Sequence, residues 1–351
     1  MSLQPLILTR TATTGLGART LARQAKSGEL VRLRAGVYLE TGTWNALAPW
    51  DKDLHRIRAC AESFRSRTVF CRDSAALLWH LPLRSTTPVH AYTSDARGGR
   101  SRNGVVRHHV PDGGGDAVQR YGVLVSSRVR TVQDLLVYAT FPDAIMATDH
   151  ALNGDAKRGF LPLGRTEILE GIEELYSADG CKRLTQRLAF ADPASGSPGE
   201  SLSRAMMEIA GFARPRLQHE FYDRQGLVAR TDFDWPAPDS IRGGAASGGA
   251  GSGPFGGGTF GASGTLAALP SSDSILVGEF DGAVKYQKIE YTNGRSASEI
   301  VQAEKRREDR IRALGPRVIR WGWQELQSLD RFNKFLSDSG VPRRPSRSAL
   351  A

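Results

Sequence analysis

The sequence predicts a chain of mixed α+β and α/β structure in three parts: a small basic helix-and-hairpin module, a middle α+β domain, and a C-terminal domain built round a carboxylate-bearing strand. Three observations predict it. Positive charge is concentrated at one end: residues 1–100 hold 15 Lys and Arg against 7 Asp and Glu, so +8 of the net +10 lies there. Helical and strand periodicities alternate along the rest of the chain. A glycine-rich stretch, Gly243 to Gly264, interrupts two strand-like runs in the last third.

With 351 residues, 40% of them hydrophobic and 24% charged, the chain has the length and composition of a multi-domain globular protein. No run approaches the roughly 18–20 apolar residues of a membrane span. The N-terminus lacks a signal-peptide pattern, so a cytoplasmic protein with no membrane partner is expected. Cys60, Cys71 and Cys181 are odd in number and widely spaced, which fits buried thiols and neither a disulfide framework nor a metal site. The seven histidines show no metal-ligand spacing.

Residues 1–45 form the first part. From Gly17 a helix is expected with Leu21, Ala22 and Ala25 on one stripe and Arg19, Arg23 and Lys26 on another. Gly28 ends it. "LVRLRAGVYL" then alternates as a hairpin turning at Gly36, with Arg32 and Arg34 outward. A basic helix followed by a basic hairpin is the layout of a winged helix-turn-helix, whose helix enters the major groove of double-stranded DNA while the wing touches backbone or minor groove.

Residues 46–192 read as α+β. Helices are expected in "HRIRACAESFRS", "RDSAALLWHLPL" (capped by Asp73 or Ser74 and stopped by Pro82), "RTVQDLLVYAT", "PDAIMATDHAL" and 165–191. Short strands are expected in "TPVHAYTS", "NGVVRHHV" and "YGVLVSS". The succession of "GELVRLRAGVYL", "DSAALLWHLPL" and "GVLVSSRVRTVQDLL" resembles the AbiEi-type antitoxins of abortive-infection toxin–antitoxin systems, over roughly residues 6–155. That resemblance implies a promoter-binding winged helix, a second domain that counters a toxin, and a cognate toxin as partner.

Residues 193–335 form the third part, with 336–351 expected as a disordered tail. "SPGESLSRAMMEIAG" is a helix with Leu202, Met206 and Ile209 as its apolar stripe, and Ser197 with Glu200 fits a capping box. A hairpin follows: "RLQHEFYD", a turn, then "LVARTDFDWP", where alternation puts Asp232 and Asp234 on one side and Phe233 and Trp235 on the core side. Residues 242–273 read as a flexible insertion, since glycine-rich uncharged chain cannot offset its ordering entropy. Beyond it, "SILVGEFDG" puts Glu279 and Asp281 on one side of a strand. If the two strands pair, four carboxylates face one another, a set of hard oxygen ligands suited to Mg²⁺ or Mn²⁺. Lys285 follows as a phosphate-facing cation. A long helix, Ala297 to Gly315, carries Lys305, Arg306, Arg310 and Arg312, which could follow a phosphate backbone, and "RVIRWGW" is a last strand.

Helix, hairpin, carboxylate strand, basic helix and strand is the order of the PD-(D/E)XK nuclease fold. "RTDFDWP", "LVGEFDGAVKY" and "EKRREDRIRALGPRVIRW" resemble its small members related to very-short-patch-repair endonucleases, over about residues 195–325. The resemblance implies a catalytic set in which Asp232 and Glu279 bind metal, Asp281 is the second acid and Glu200 the helix acid. Asp281 stands where the family has its lysine, which leaves water activation to Lys285 or a second metal. The expectation is a metal-dependent DNA endonuclease guided by the winged helix, in phage defence or a toxin–antitoxin locus. Cutting both strands would call for a homodimer. The alternative is a non-enzymatic AbiEi-like antitoxin or repressor with a degenerate nuclease domain.

Overall fold

The structure, a computed structural model, describes residues 4–10, 17–64, 67–84, 88–95, 103–110, 114–236, 274–282 and 297–345. It is mixed α and β, with three sheets among these residues, and the chain divides into two compact units, Met1–Pro193 and Ala194–Ala351.

The N-terminal unit opens with β1 (Ile7–Leu8), α1 (Ala18–Lys26), β2 (Leu30–Arg34), β3 (Val37–Glu40), α2 (Thr41–Ala46) and α3 (Pro49–Ser63). The strands form an antiparallel sheet in the order β1-β3-β2. Leu21 of α1 is buried against Leu30 and Tyr38, with Ala25 packed beside them, whereas Ala22 is exposed. The helix expected from His55 starts earlier because Pro49, with its φ preset, occupies the first turn.

A five-stranded sheet follows, in the order β6-β5-β4-β8-β7. Its elements are β4 (Val69–Phe70), α4 (Arg72–Leu78), β5 (Val89–Thr93), β6 (Val105–His109), β7 (Val118–Arg120) and β8 (Val123–Val125). Its core is Leu54, Ile57, Phe70, Leu78, Ala91 and Val125 with their neighbours. Neither Asp73 nor Ser74 caps α4. Cys71 holds that position, and the Ser74 hydroxyl accepts the His90 N–H at 2.8 Å, tying helix to sheet. Five helices complete the unit: α5 (Arg128–Tyr138), α6 (Phe141–Asn153), α7 (Arg165–Leu169), α8 (Ile172–Leu175) and α9 (Ala178–Phe190). Ser127, Thr140 and Ser177 cap α5, α6 and α9 by accepting backbone N–H groups.

Three histidines of this unit make it acid-sensitive. Burial, then Arg158 and Arg120, pull His80 down to about 4. Burial and Arg72 pull His90 to about 4, and the same causes plus His90 pull His108 to about 3. Below the ordinary value of 6.5 an unfolded chain takes up protons that the folded chain refuses, so their contribution is present above 6.5 and is lost as pH falls toward 4. Asp73, raised to about 6 by burial and Asp143, works the other way, but is one group against these three and His150, which burial also lowers. Hydrogen exchange across α5 and α6 is expected to quicken steadily from pH 6.5 to 4 after correction for the intrinsic rate; flat protection would contradict this.

The C-terminal unit contains α10 (Pro198–Ala210), β9 (Arg216–Asp223), β10 (Gly226–Pro236), β11 (Ser274–Phe280), α11 (Ala297–Ala313), β12 (Arg317–Trp321) and α12 (Leu329–Asp338). The sheet runs β12-β11-β10-β9. Strands β9, β10 and β11 are antiparallel neighbours, and β12 lies parallel to β11 with α11 as the crossover. Helices cover both faces. On one, Trp321 stacks on Phe233 at 5.2 Å, meets Phe332 of α12 and donates its indole N–H to Ser203 of α10 at 2.8 Å. On the other, Val277 and Val228 meet Ile311 and, at their edge, Leu314. The expected stripe of α10 holds for Leu202 and Met206, but Ile209 is exposed.

Gly278 is needed at the centre of this sheet. A Cβ there would lie 2.6 Å from Cη2 of Trp321 and 3.2 Å from the Trp235 ring. Gly278→Ala is expected to cost about 1–3 kcal/mol by overpacking, read as a lowered urea midpoint; an unchanged midpoint would show that the rings shift freely. The disordered tail expected over 336–351 does not hold for 336–345, since Leu336 is fully buried and the Ala213 N–H bonds the Pro342 carbonyl at 2.8 Å; residues 346–351 lie outside the described residues. The insertion 242–273 and Lys285 lie outside the described residues.

Candidate functional site

The carboxylate strands do pair. The register sets Phe233 opposite Gly278 and Asp234 opposite Val277. One residue further, Asp232 comes opposite Glu279. Here a side chain takes over from the ladder: Oδ2 of Asp232 accepts the Phe280 N–H at 2.8 Å. Because faces alternate along a strand, Asp232, Asp234, Glu279 and Asp281 all belong to the side covered by α11.

Their surroundings differ. Glu279, 6% exposed, receives Nη2 of Arg307 from α11 at 3.2 Å. Asp281, at the strand end, is half-exposed and lies 3.5 Å from Arg320 of β12, which also reaches Glu308 at 3.2 Å. Asp234 is fully buried on β10, bonded by Nε of Arg216 at 3.0 Å with His219 at 3.4 Å. It is therefore not an exposed residue but one half of an ion pair whose carboxylate is buried. The sequence concealed this because its partner comes from β9.

Glu200 sits at the start of α10, where the helix N-terminus favours a carboxylate. It accepts the Gly196 N–H at 2.7 Å, the Ser197 hydroxyl at 2.8 Å and the Gln218 amide at 3.2 Å. Ser197 in turn accepts the Glu200 N–H at 3.3 Å. These bonds give Glu200 the capping role its spacing suggested.

As a metal site this donor set fits in kind. Asp232 and Glu279 supply hard oxygens from adjacent strands. Among the described residues, however, no group of three or more His, Cys, Asp or Glu is drawn together around one point. Arg307 and Arg320 supply the positive charge beside Glu279 and Asp281 that a divalent ion would bring. Neither arginine was foreseen. Arg307 was legible in principle, since it lies four residues before buried Ile311, on the same helical face. Of the cations expected to follow phosphates, Lys305 and Arg306 are exposed, whereas Arg310 pairs with Asp223 at 2.7 Å and Arg312 with Glu308.

In the N-terminal unit, Arg19, Arg23 and Lys26 are exposed on α1, opposite Leu21. Arg32 is exposed on β2, whereas Arg34 is half-buried. A register shift between them turns Arg34 inward, and its guanidinium donates to Sγ of Cys60 at 2.8 Å. Arg32, Arg34 and Arg56 share a cleft of about 600 Å³ with Trp44, whose ring lies 5.3 Å from the Arg56 guanidinium. No protein-family model matches this chain, and no curated protein matches it. No helix among the described residues is long and apolar enough to cross a membrane.

Proposed function

We propose that this protein is a metal-dependent DNA endonuclease whose C-terminal unit is of the PD-(D/E)XK type and whose N-terminal module is a winged helix that holds double-stranded DNA. The observation that carries the reading is Asp232 brought opposite Glu279 within a helix, three-strand meander, helix and parallel-strand order. Asp232 and Glu279 would hold Mg²⁺ or Mn²⁺, with Asp281 at the open strand end beside them. The ion, when bound, would activate a water and stabilise charge on the phosphate. Asp232 keeps the strand ends in register through its bond to Phe280, and Glu200 fixes the first turn of α10. Lys305 and Arg306 offer exposed charge to the DNA backbone. The test is supercoiled plasmid with Mg²⁺, Mn²⁺ or EDTA. Metal-dependent nicking is expected, and intact plasmid throughout would contradict the proposal.

A second reading, the AbiEi-like antitoxin or repressor with a degenerate nuclease domain, is favoured by the ion pairs of Glu279 with Arg307 and Asp281 with Arg320. It shares the DNA-binding module. For that module, Arg23→Ala is expected to weaken a gel shift and lower its salt dependence by about one unit of slope. Arg34→Ala should instead lower stability, because its guanidinium is spent on Cys60. Equal salt slopes for both variants would contradict the assignment.

A further inference from the structure

A pocket of about 340 Å³ lies in the N-terminal unit, between the C-terminal end of β6, the start of α4 and the helices α5 and α8. It is lined by two guanidiniums, Arg72 and Arg130, among Tyr92, Tyr138, His108 and Asp134. Its size is that of a small-molecule site.

The lining carries two cations, Arg72 and Arg130, and two carboxylates, buried Asp134 and exposed Glu174. Asp134, 1% exposed, is the one buried carboxylate of the lining. It is already engaged, because Nε of Arg130 lies 3.4 Å from Oδ1, the Tyr176 hydroxyl donates to Oδ1 at 2.8 Å, and the Tyr92 hydroxyl donates to Oδ2. Burial and Asp134 hold both phenols well above the usual tyrosine range, so they remain donors. Arg130 and Asp134 thus cancel. Arg72 is left over. Its guanidinium lies 3.7 Å from the centre of the Tyr138 ring, and its Nε is buried without a hydrogen-bond partner. It forms no salt bridge with any described residue, and Glu174 is exposed on the same lining. His90 and His108, stacked with nitrogens 2.8 Å apart, are neutral near pH 7 and bring no charge of either sign.

Arg72, partly buried and next to Asp73, has φ 49°, in the left-handed region that residues other than glycine seldom occupy. Fully buried Cys71 precedes it and buried Ser74 ties the next turn to β5, so the chain fixes this backbone and aims the guanidinium over Tyr138. An arginine fork, a second guanidinium and a half-exposed aromatic face form a receptor for a phosphate group that can carry a flat ring.

We propose that this pocket binds a phosphate group, as inorganic phosphate or as the phosphate of a nucleoside monophosphate, with Arg72 as the principal ligand. Titration calorimetry of the full chain, in phosphate-free buffer, with inorganic phosphate, adenosine 5′-monophosphate and adenosine tests it. Phosphate and the nucleotide are expected to bind and adenosine not to. Tighter binding of the nucleotide would identify Tyr138 as a base platform, and equal binding would identify free phosphate as sufficient. Arg72→Gln is expected to weaken both by about 10- to 100-fold, the range for losing a charged hydrogen-bond partner. If that variant does not fold, Tyr138→Leu, at a half-exposed position, replaces it, and weaker binding than wild type is expected. No heat from either phosphate compound with the wild-type chain, or unchanged affinity in the folded variant, would overturn the proposal.

Discussion

Trp321→Ala is expected to remove about 3–5 kcal/mol from the stability of the C-terminal unit. The indole is 2% exposed and lies where both sequence-distant helices meet the sheet. It stacks on Phe233 of β10, tilts against Phe332 and Phe335 of α12, and bonds Ser203 of α10. Gly278 leaves room for it from β11. Truncation would therefore open a cavity between four elements that cannot all close in. Trp321→Phe keeps a ring and removes the donor to Ser203, whose hydroxyl still bonds the Gly199 carbonyl, and should cost less, about 1–3 kcal/mol. Urea unfolding followed by circular dichroism separates the cases; a loss under 1 kcal/mol for the alanine variant would show that the sheet does not depend on this contact.

The second large effect, under the proposed nuclease reading with Glu279 as a metal ligand, is on cleavage. Glu279→Gln keeps the volume of the side chain and removes its charge. Loss of an outer-shell partner costs a metal site about 10–100-fold, so loss of a direct ligand should lower cleavage by about 100-fold or more. Asp234→Asn is the contrasting variant. Its carboxylate is as deeply buried but is bound to Arg216, so stability rather than cleavage should suffer. Cleavage rates and melting temperatures measured for both variants check this. Equal loss of cleavage, or loss explained by unfolding in both, would contradict the distinction.

The strands of the C-terminal unit were legible because the run from Val228 to Trp235 alternates and the run from Ile275 to Phe280 opens on continuous apolar residues, and their pairing buries Phe233 and Trp235 together. That pairing also made Asp232 opposite Glu279 legible. Their ionic partners were not. Arg307 and Arg320 lie 28 and 41 residues beyond Glu279, and which charge meets which is settled by the crossover of α11. Arg34 was misjudged because one bulged residue reverses the faces of a strand. Local alternation had placed it beside Arg32. The pocket beside Arg72 escaped the sequence altogether, since Arg72, His108, Asp134 and Tyr138 meet only when β6, α4 and α5 are packed.

The most direct test of the nuclease reading sets wild type beside Asp232→Ala and Glu279→Ala on the same supercoiled plasmid, with a gel shift run on the same preparations. Nicking or linearisation that needs Mg²⁺ or Mn²⁺ and disappears in both variants, while DNA binding persists in all three, is the predicted result. Binding without cleavage by any of the three, in any of the metals, would contradict it and leave the regulator.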